Sequence, residues 1–532
     1  MWLYLVLFVV LYFIYKCAVE PIFYWRKRGI PHHTPWPIFG NFYSVMMQKQ
    51  SFLGFQEDIY KAFDKHRYNG FFQLTSPTLY IRDLDLVKDV LVKHFDHFTD
   101  HRSVGSEYDV LYYKNLFSLK GNEWREMRAY LSPAFAPSKI KAMFDLMSQC
   151  AQRLTEFHLE KSLETPQIEV ELGDIFKKYA NDVIGTCAFG VECDSLRNPE
   201  NEFYRNGMDA TNFTGFSGVK IMLAHFAPDL FKFFNMKVLP QNVSDFFINL
   251  IKESLAYREK NNVIRPDVIQ LLMDARKGKL KHEKQETQVL DDGYSVIEES
   301  AVGKVDVRLE ATLSDEDIAS QCFIFFFAGL DTIPALLNCA ITELAIDPDI
   351  QSRLFVEIHT LMQETNGKPT YEKVMEMKYL DMILSETLRK WPAASAIDRV
   401  CTKDFTIDPI HPNEVPVTIK GGDRIGIPTG GIQRDPRYFP NPEKFDPERF
   451  APENVKKILP YTYLPFGLGP RGCIGTRFAL LETKIVMIHL LSKFEAVVIE
   501  KTSVPLTLST KSMKFAPDNG FWVGLRRRQA CP

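Results

Sequence analysis

Residues 314–346, SDEDIASQCFIFFFAGLDTIPALLNCAITELAI, constrain this chain more than any other stretch. Ser314 can cap a helix, Asp317 three residues on completes a near capping box, and Leu313 and Ile318 occupy the staple positions. The pattern predicts a helix from Ser314 to about Ile346, where Asp347-Pro348 stops it. Its centre, CFIFFFAGLDTIP, is apolar nearly all round, which marks a helix buried in the middle of a protein. Asp331 and Thr332 sit inside that apolar stretch as either a local hydrogen-bonded pair or a proton-handling site. Two neighbours weight the second reading. Pro334 cannot donate to the carbonyl of Leu330, so the helix is expected to open there, and the small Gly329 is expected to leave room for a ligand.

The rest of the chain must enclose this helix. Its 532 residues could make one large domain or two to three ordinary ones, and an apolar share of 45% suffices for a large core. A net charge of −3, from 64 basic and 67 acidic residues, argues against a nucleic-acid binder working through an overall basic field. The nine cysteines are odd in number, scattered and free of CxxC pairs, which fits a reducing compartment better than a disulfide framework.

The N-terminus is uncharged and apolar from Trp2 to Tyr15 and continues, interrupted by Lys16 and Glu20, to Trp25. That length approaches the ~20 residues needed to span a bilayer. A cleaved signal peptide competes with this reading. The absence of positive charge before the run, with Arg26, Lys27 and Arg28 after it, favours an uncleaved anchor and places the bulk of the chain in the cytoplasm. We therefore divide the chain into an anchor at 1–25, a basic and proline-rich hinge at 26–41, and a catalytic domain at 42–532. Residues 71–83, FFQLTSPTLYIRD, read as a hairpin around Ser76-Pro77. Helical periodicity dominates from about 84 to 395, and 397–430 reads as short strands and turns. The polar segment 277–312 reads as a solvated, mobile loop.

Four constellations remain. In PFGLGPRGCIG (465–475) a single cysteine, Cys473, lies among glycines directly before a helical run. Glycines permit close backbone approach, and a thiolate at a helix N-terminus is favoured by free amides and the dipole. In SETLRKWP, Glu386 and Arg389 share a helix face, which alone would be a surface ion pair of little consequence. In GNEWREMRAYLSPAF, Trp124 and Arg128 share a face at i,i+4. His94, His97 and His101 in KHFDHFTDHR could approach one another on a helix, but without an evident fourth ligand zinc is not the expectation.

Taken together, Phe466, Gly469, Arg471, Cys473 and Gly475 resemble the haem-binding loop of the cytochrome P-450 family. Trp124 and Arg128, AGLDT (328–332), Glu386 with Arg389, and FDPERF (445–450) extend the resemblance over essentially the whole chain. It implies a mainly α fold with a small β-rich lobe, enclosing haem b between the long helix and the cysteine loop, behind an N-terminal anchor helix. Cys473 would be the axial thiolate, whose electron donation favours O–O cleavage. Trp124, Arg128, Arg399 and Arg471 would bind the haem propionates, and Phe466 would belong to the haem-binding loop. Glu386 and Arg389 would join Arg449 in a buried network with a folding role. Asp331 and Thr332 would supply protons during dioxygen activation. Three residues depart from the family pattern. Ile333 and Pro334 alter the proton relay, and Gln433 replaces a histidine common in microsomal relatives, which we read as neutral.

The implied activity is a monooxygenase that draws electrons from NADPH through an NADPH-cytochrome reductase, with cytochrome b5 as a further candidate donor. The implied location is the endoplasmic reticulum membrane, with the catalytic domain in the cytoplasm. The segments matching the family's variable, substrate-facing regions (103–121, 203–240, Ala393 to Ile397 and 509–515) are apolar and aromatic, so a lipophilic small molecule is expected. Part of 203–240 is expected to dip into the membrane. The chain looks most like insect microsomal members that clear plant toxins and insecticides. Rival readings are a dedicated endogenous lipid or hormone as substrate, a haem-thiolate isomerase or dehydratase, and a non-enzymatic haem carrier or sensor. The Asp331-Thr332 pair favours oxygenation over isomerisation.

Overall fold

The computed structural model describes the chain except residues 1, 103–106, 213–217, 219, 222–223, 225–230, 232, 279–312, 413, 512–514 and 530–532. Nearly all of the polar segment expected at 277–312, from residue 279 on, and parts of three expected substrate-facing segments therefore lie outside the described residues.

The long helix forms as its sequence dictates. Asp315–Ile346 is one continuous α-helix, with the Ser314 hydroxyl accepting from the Asp317 N–H at 3.1 Å and Asp317 accepting from the Ser314 N–H at 2.9 Å. Leu313 and Ile318 are both buried, completing the staple. Asp347 ends it and caps the next helix, Pro348–Glu364, by accepting the Ile350 N–H at 3.2 Å. Among the described residues this is the helix long and apolar enough to cross a membrane, yet 61% of its most apolar window is buried inside the protein. It is a core helix. The helices Leu172–Ile184, Gln241–Asn261, Lys378–Lys390 and Thr476–Lys493 pack around it.

The expected opening at Pro334 is absent, and the helix runs through it. A missing N–H at one position costs a single hydrogen bond, and tight packing of Ile333 through Ala345 on every side holds the axis.

Three small sheets flank the helices. The largest has strand order β1-β2-β7-β4, from β1 (Tyr68–Gln73), β2 (Ser76–Ile81), β4 (Ile397–Val400) and β7 (Arg424–Ile427). β3 (Gln167–Glu171), β9 (Trp522–Arg527) and β8 (Phe494–Val497) form the second, and β5 (Phe405–Ile407) pairs with β6 (Val417–Ile419). The β1–β2 hairpin turns at Leu74-Thr75 rather than at Ser76-Pro77. Gln73 pairs with Ser76 and Phe72 with Pro77, and Leu74 takes the positive φ of 56° that the turn needs. Pro77 is tolerated because β2 meets β7 only from Thr78 onward.

At the N-terminus, helix Trp2–Ile14, a π turn at Tyr15–Val19 and helix Glu20–Lys27 follow one another. The first is exposed, whereas Trp25 is 5% exposed and its indole N–H donates to the Phe71 carbonyl at 3.2 Å. A Cβ on Gly70 would lie 2.4 Å from that indole, so glycine is required at this crossing. Trp25 and Ile30 thus belong to the core around β1 and β2, and His32 and Gly40 bridge to β1.

Glu386 and Arg389 are not on the surface. Both are fully buried in the Lys378–Lys390 helix, joined by Arg389 Nε and Nη2 bonds of 2.7 and 2.8 Å, and Arg449 Nε approaches Glu386 at 3.4 Å. Gln433 bridges the same region, donating to the Leu388 and Arg389 carbonyls at 3.0 Å and accepting the Leu464 N–H at 2.8 Å. It ties the helix end to the segment leading into the cysteine loop.

Candidate active site

The cysteine loop closes on itself through backbone bonds. The Cys473 N–H donates to the Phe466 carbonyl at 2.9 Å and the Gly472 N–H to Gly469 at 2.8 Å. Gly469 has φ of +72°, and a Cβ there would stand 1.9 Å from the Leu91 carbonyl, so only glycine lets the loop lie on the Asp89–Lys93 turn. Phe466 is partly buried against the main core. Cys473 comes three residues before Thr476, the first residue of the Thr476–Lys493 helix. Among the described free cysteines it alone is accessible; Cys150, Cys187, Cys193, Cys322, Cys339 and Cys401 are buried. Protein surrounds Cys473 even so, and burial raises its thiol pKa, opposed by the Gly475 N–H, the Thr476 hydroxyl and the charge of Arg128.

The expected basic residues converge beside it from three elements. Trp124 and Arg128 lie on helix Gly121–Leu131, Arg399 on β4 and Arg471 in the cysteine loop. The Arg471 guanidinium lies 4.2 Å over the Trp124 ring. It also straps the loop to the preceding chain, donating to the carbonyls of Thr99 (2.7 Å), Leu116 (3.0 Å) and Leu119 (2.6 Å). Burial, and then the charge of Arg399, bring Arg471 down to about 9. Burial likewise lowers Arg399 to about 10; one of its nitrogens donates to the Asp398 carbonyl at 2.7 Å, and its buried Nε has no partner.

His101 belongs to this cluster and escaped the sequence reading as anything but a zinc candidate. Its Nδ1 is 2.9 Å from Asp398, and its ring stacks on Phe117 at 4.4 Å. Burial and then Arg399 lower its pKa. Burial opposes ionisation of Asp398, but His101, the Arg102 N–H and Arg399 outweigh it and bring the carboxyl down to about 2. The histidine grouping fails as a metal site, since His94 and His97 pack on the Phe405 ring at 5.2 and 5.7 Å. Among the described residues no group of three or more metal-ligating side chains is placed to hold an ion.

Asp331 and Thr332 form a second group on the central helix. Ala328, Asp331 and Thr332 are exposed, between the buried Phe326, Leu330 and Ile333. The Thr332 hydroxyl donates to the Ala328 carbonyl at 2.8 Å, and Asp331 is 3.0 Å from Lys177 of the Leu172–Ile184 helix. Lys177 is a partner the sequence reading did not name. Gly329 does not leave room for a ligand, because a Cβ there would meet the Ile184 side chain at 2.5 Å; it lets two helices close together.

The buried guanidinium groups of Arg399 and Arg471, the former with an unpartnered donor, suit a ligand carrying negative charge, and an accessible cysteine with an amide, a hydroxyl and an arginine set against the cost of burying its thiolate suits a metal. Those two demands together describe a haem-thiolate protein. The family model for cytochrome P-450 matches residues 30–522, and the chain belongs to that family. It is 42% identical over 520 residues to cytochrome P-450 9e2 of Blattella germanica, covering 95% of this chain and 94% of that protein. Probable cytochrome P-450 9f2 of Drosophila melanogaster is 38% identical over 523 residues, 97% of each chain. Cytochrome P-450 6k1 of Blattella germanica is 38% identical over 501 residues, 93% of this chain and 91% of the relative. The protein is therefore a monooxygenase of a haem-thiolate family with insect relatives.

Proposed function

We propose that Cys473 is the thiolate ligand of the haem, and that the chain is a membrane-anchored monooxygenase clearing lipophilic foreign compounds with electrons from an NADPH-cytochrome reductase. The observation that carries this is the accessible Cys473 beside the partly buried Arg128 and the buried Arg399 and Arg471, within a chain whose central helix exposes Asp331 and Thr332. When bound, haem supplies the one-electron and dioxygen chemistry, with the thiolate pushing electron density toward O–O cleavage.

The chain's own residues do the rest. The Gly475 N–H, the Thr476 hydroxyl and Arg128 oppose the cost of burying the sulfur as thiolate. Arg128 and Arg399 take the propionates, with His101 alongside. Arg471 and Trp124 keep the loop seated on the chain from Thr99 to Leu119. Thr332 keeps its hydroxyl hydrogen on the Ala328 carbonyl, so its oxygen lone pairs are left to accept a hydrogen bond from water in the cleft. Asp331, after exchanging its Lys177 contact for solvent, takes a proton from solvent and passes it to that water.

The exposed apolar side chains of Trp2, Tyr4 and Leu5 to Tyr12, followed by Arg26, Lys27 and Arg28, support an anchor in the endoplasmic reticulum membrane with the body in the cytoplasm. Exposed Phe233 and Phe234 support a second contact with lipid. The similarity to the insect cytochromes P-450 9e2, 9f2 and 6k1 supports a foreign-compound role. The test is reconstitution with reductase, NADPH and isotopically labelled dioxygen across a panel of lipophilic compounds. One labelled oxygen atom should appear in product. Compounds that perturb the haem spectrum yet never yield oxygenated product would overturn the reading.

A further inference from the structure

Asp109 is 1% exposed, and its carboxylate joins two parts of the chain that are each fixed elsewhere. On one side, residues 110–116 are fastened to the first half of the central helix. The Ser320 hydroxyl donates to the Val110 carbonyl at 3.1 Å, and Gln321 accepts the Leu116 N–H at 2.9 Å and donates to the Lys114 carbonyl at 2.8 Å. Tyr112 packs edge-on against Phe323 and Phe327, both at 5.6 Å. On the other side, Val238 and Leu239 are buried and lead into the Gln241–Asn261 helix, whose Phe247 packs on Phe323 and Phe326. The Asp109 carboxylate accepts the Val238 N–H, with the Leu239 N–H alongside, and its other oxygen has no partner.

Burying a carboxylate to hold one turn is costly. Burial raises Asp109 to about 6 although Lys237 and Lys220 face it. The position of the bond gives that cost a use. Phe233 and Phe234, 77% and 64% exposed, offer an apolar surface a few residues before it, and Tyr112 lies within electrostatic reach of both Asp109 and Asp331. An apolar outer surface, the Asp109 bond, Tyr112 and the exposed notch of the central helix thus follow one another.

We propose that Asp109 is a positioning residue that locks the Val238–Leu239 turn to residues 110–116 and so sets how fast a lipophilic molecule reaches the Asp331-Thr332 notch. The nature of that molecule rests on the monooxygenase reading, whereas the lock itself does not.

The test compares full-length, haem-loaded wild type with Asp109→Ala, which removes the acceptor, and Asp109→Asn, whose side-chain carbonyl can still accept the Val238 N–H. Hydrogen exchange of the Val238 and Leu239 amides should accelerate roughly tenfold in Asp109→Ala, the scale of one lost hydrogen bond to a charged group, and stay near wild type in Asp109→Asn. Binding of a lipophilic pyridine to the haem iron, followed by stopped flow, should show association and dissociation rates rising together in Asp109→Ala, with affinity, haem content and the reduced carbon monoxide spectrum unchanged. Should Asp109→Ala fail to accumulate, Asp109→Val removes the same acceptor and fills the space. Unchanged exchange would refute the lock. Faster exchange with unchanged pyridine rates would refute its control of access, and neither result bears on whether the protein oxygenates.

Discussion

Replacing Glu386 by alanine tests the buried network that supports the cysteine loop. Its carboxylate accepts Arg389 Nε and Nη2 at 2.7 and 2.8 Å, the Asp446 N–H at 2.9 Å and Arg449 Nε at 3.4 Å. Arg389 would keep only neutral partners, the Gln433 carbonyl at 3.1 Å and the Pro442 carbonyl at 2.7 Å, while remaining fully buried. Removing one partner of a buried pair typically costs ~3–5 kcal/mol, because the surviving charge stays out of water. That is comparable to much of the ~5–15 kcal/mol by which a protein is stable. The expected outcome of Glu386→Ala is a small yield of folded holoprotein. The double replacement Glu386→Gln, Arg389→Met, which removes both charges, should recover a large part of the loss. Haem content per chain and denaturant unfolding measure both. A Glu386→Ala protein with wild-type haem content and unfolding midpoint would refute the reasoning, as would a double replacement no better than the single one.

Three further outcomes are expected. Gly469→Ala places a Cβ 1.9 Å from the Leu91 carbonyl at a positive φ, so haem content should fall sharply, while Gly421→Ala, whose Cβ would meet the Thr402 carbonyl at an ordinary 3.6 Å, is tolerated; equal haem content in the two would contradict the close approach of the loop. Thr332→Ala should keep the haem and carbon monoxide spectra and raise peroxide formed per NADPH, with product formation lowered by up to ~10²-fold; an unchanged product yield per NADPH would show that Thr332 only packs. Asp398, held at about 2, contributes stability that is fully present above the ordinary carboxylate value of ~3.9 and is lost as pH falls toward 2. Because its side chain is 45% exposed, we discount that contribution to about 1 kcal/mol, and the stability gap between wild type and Asp398→Asn should close between about pH 4 and pH 2; a gap independent of pH would contradict the sign.

Local features were legible in the chain and long-range ones were not. The central helix could be read because its cap, staple, apolar centre and terminating Asp-Pro are all set by neighbours within a few residues. The close approach of the loop around Cys473 could be read because glycine spacing records where the backbone must bend or approach. The bend at Pro334 was expected from the proline's own missing donor, but the surrounding helices override that local cost. Gly329 was expected to leave room, and the packing partner that fills it, Ile184, is 145 positions away. Spacing alone made Glu386 and Arg389 a surface pair, whereas the family resemblance put them with Arg449 in a buried network, as the structure has them. Lys177 and the His101–Asp398 contact had no local signal, since a contact between distant residues leaves no periodicity in one sequence. The hairpin turn moved because Leu74 accepted a positive φ that propensity alone would assign elsewhere.

The most direct test of the haem-thiolate assignment is the spectrum of the reduced carbon monoxide complex after Cys473→Ser. The red-shifted band of thiolate-ligated haem should disappear, because a serine hydroxyl cannot supply the anionic sulfur, while serine at any of the buried Cys150, Cys187, Cys193, Cys322, Cys339 or Cys401 should leave it in place. A wild-type band in Cys473→Ser would mean that another residue holds the iron, and would contradict the account.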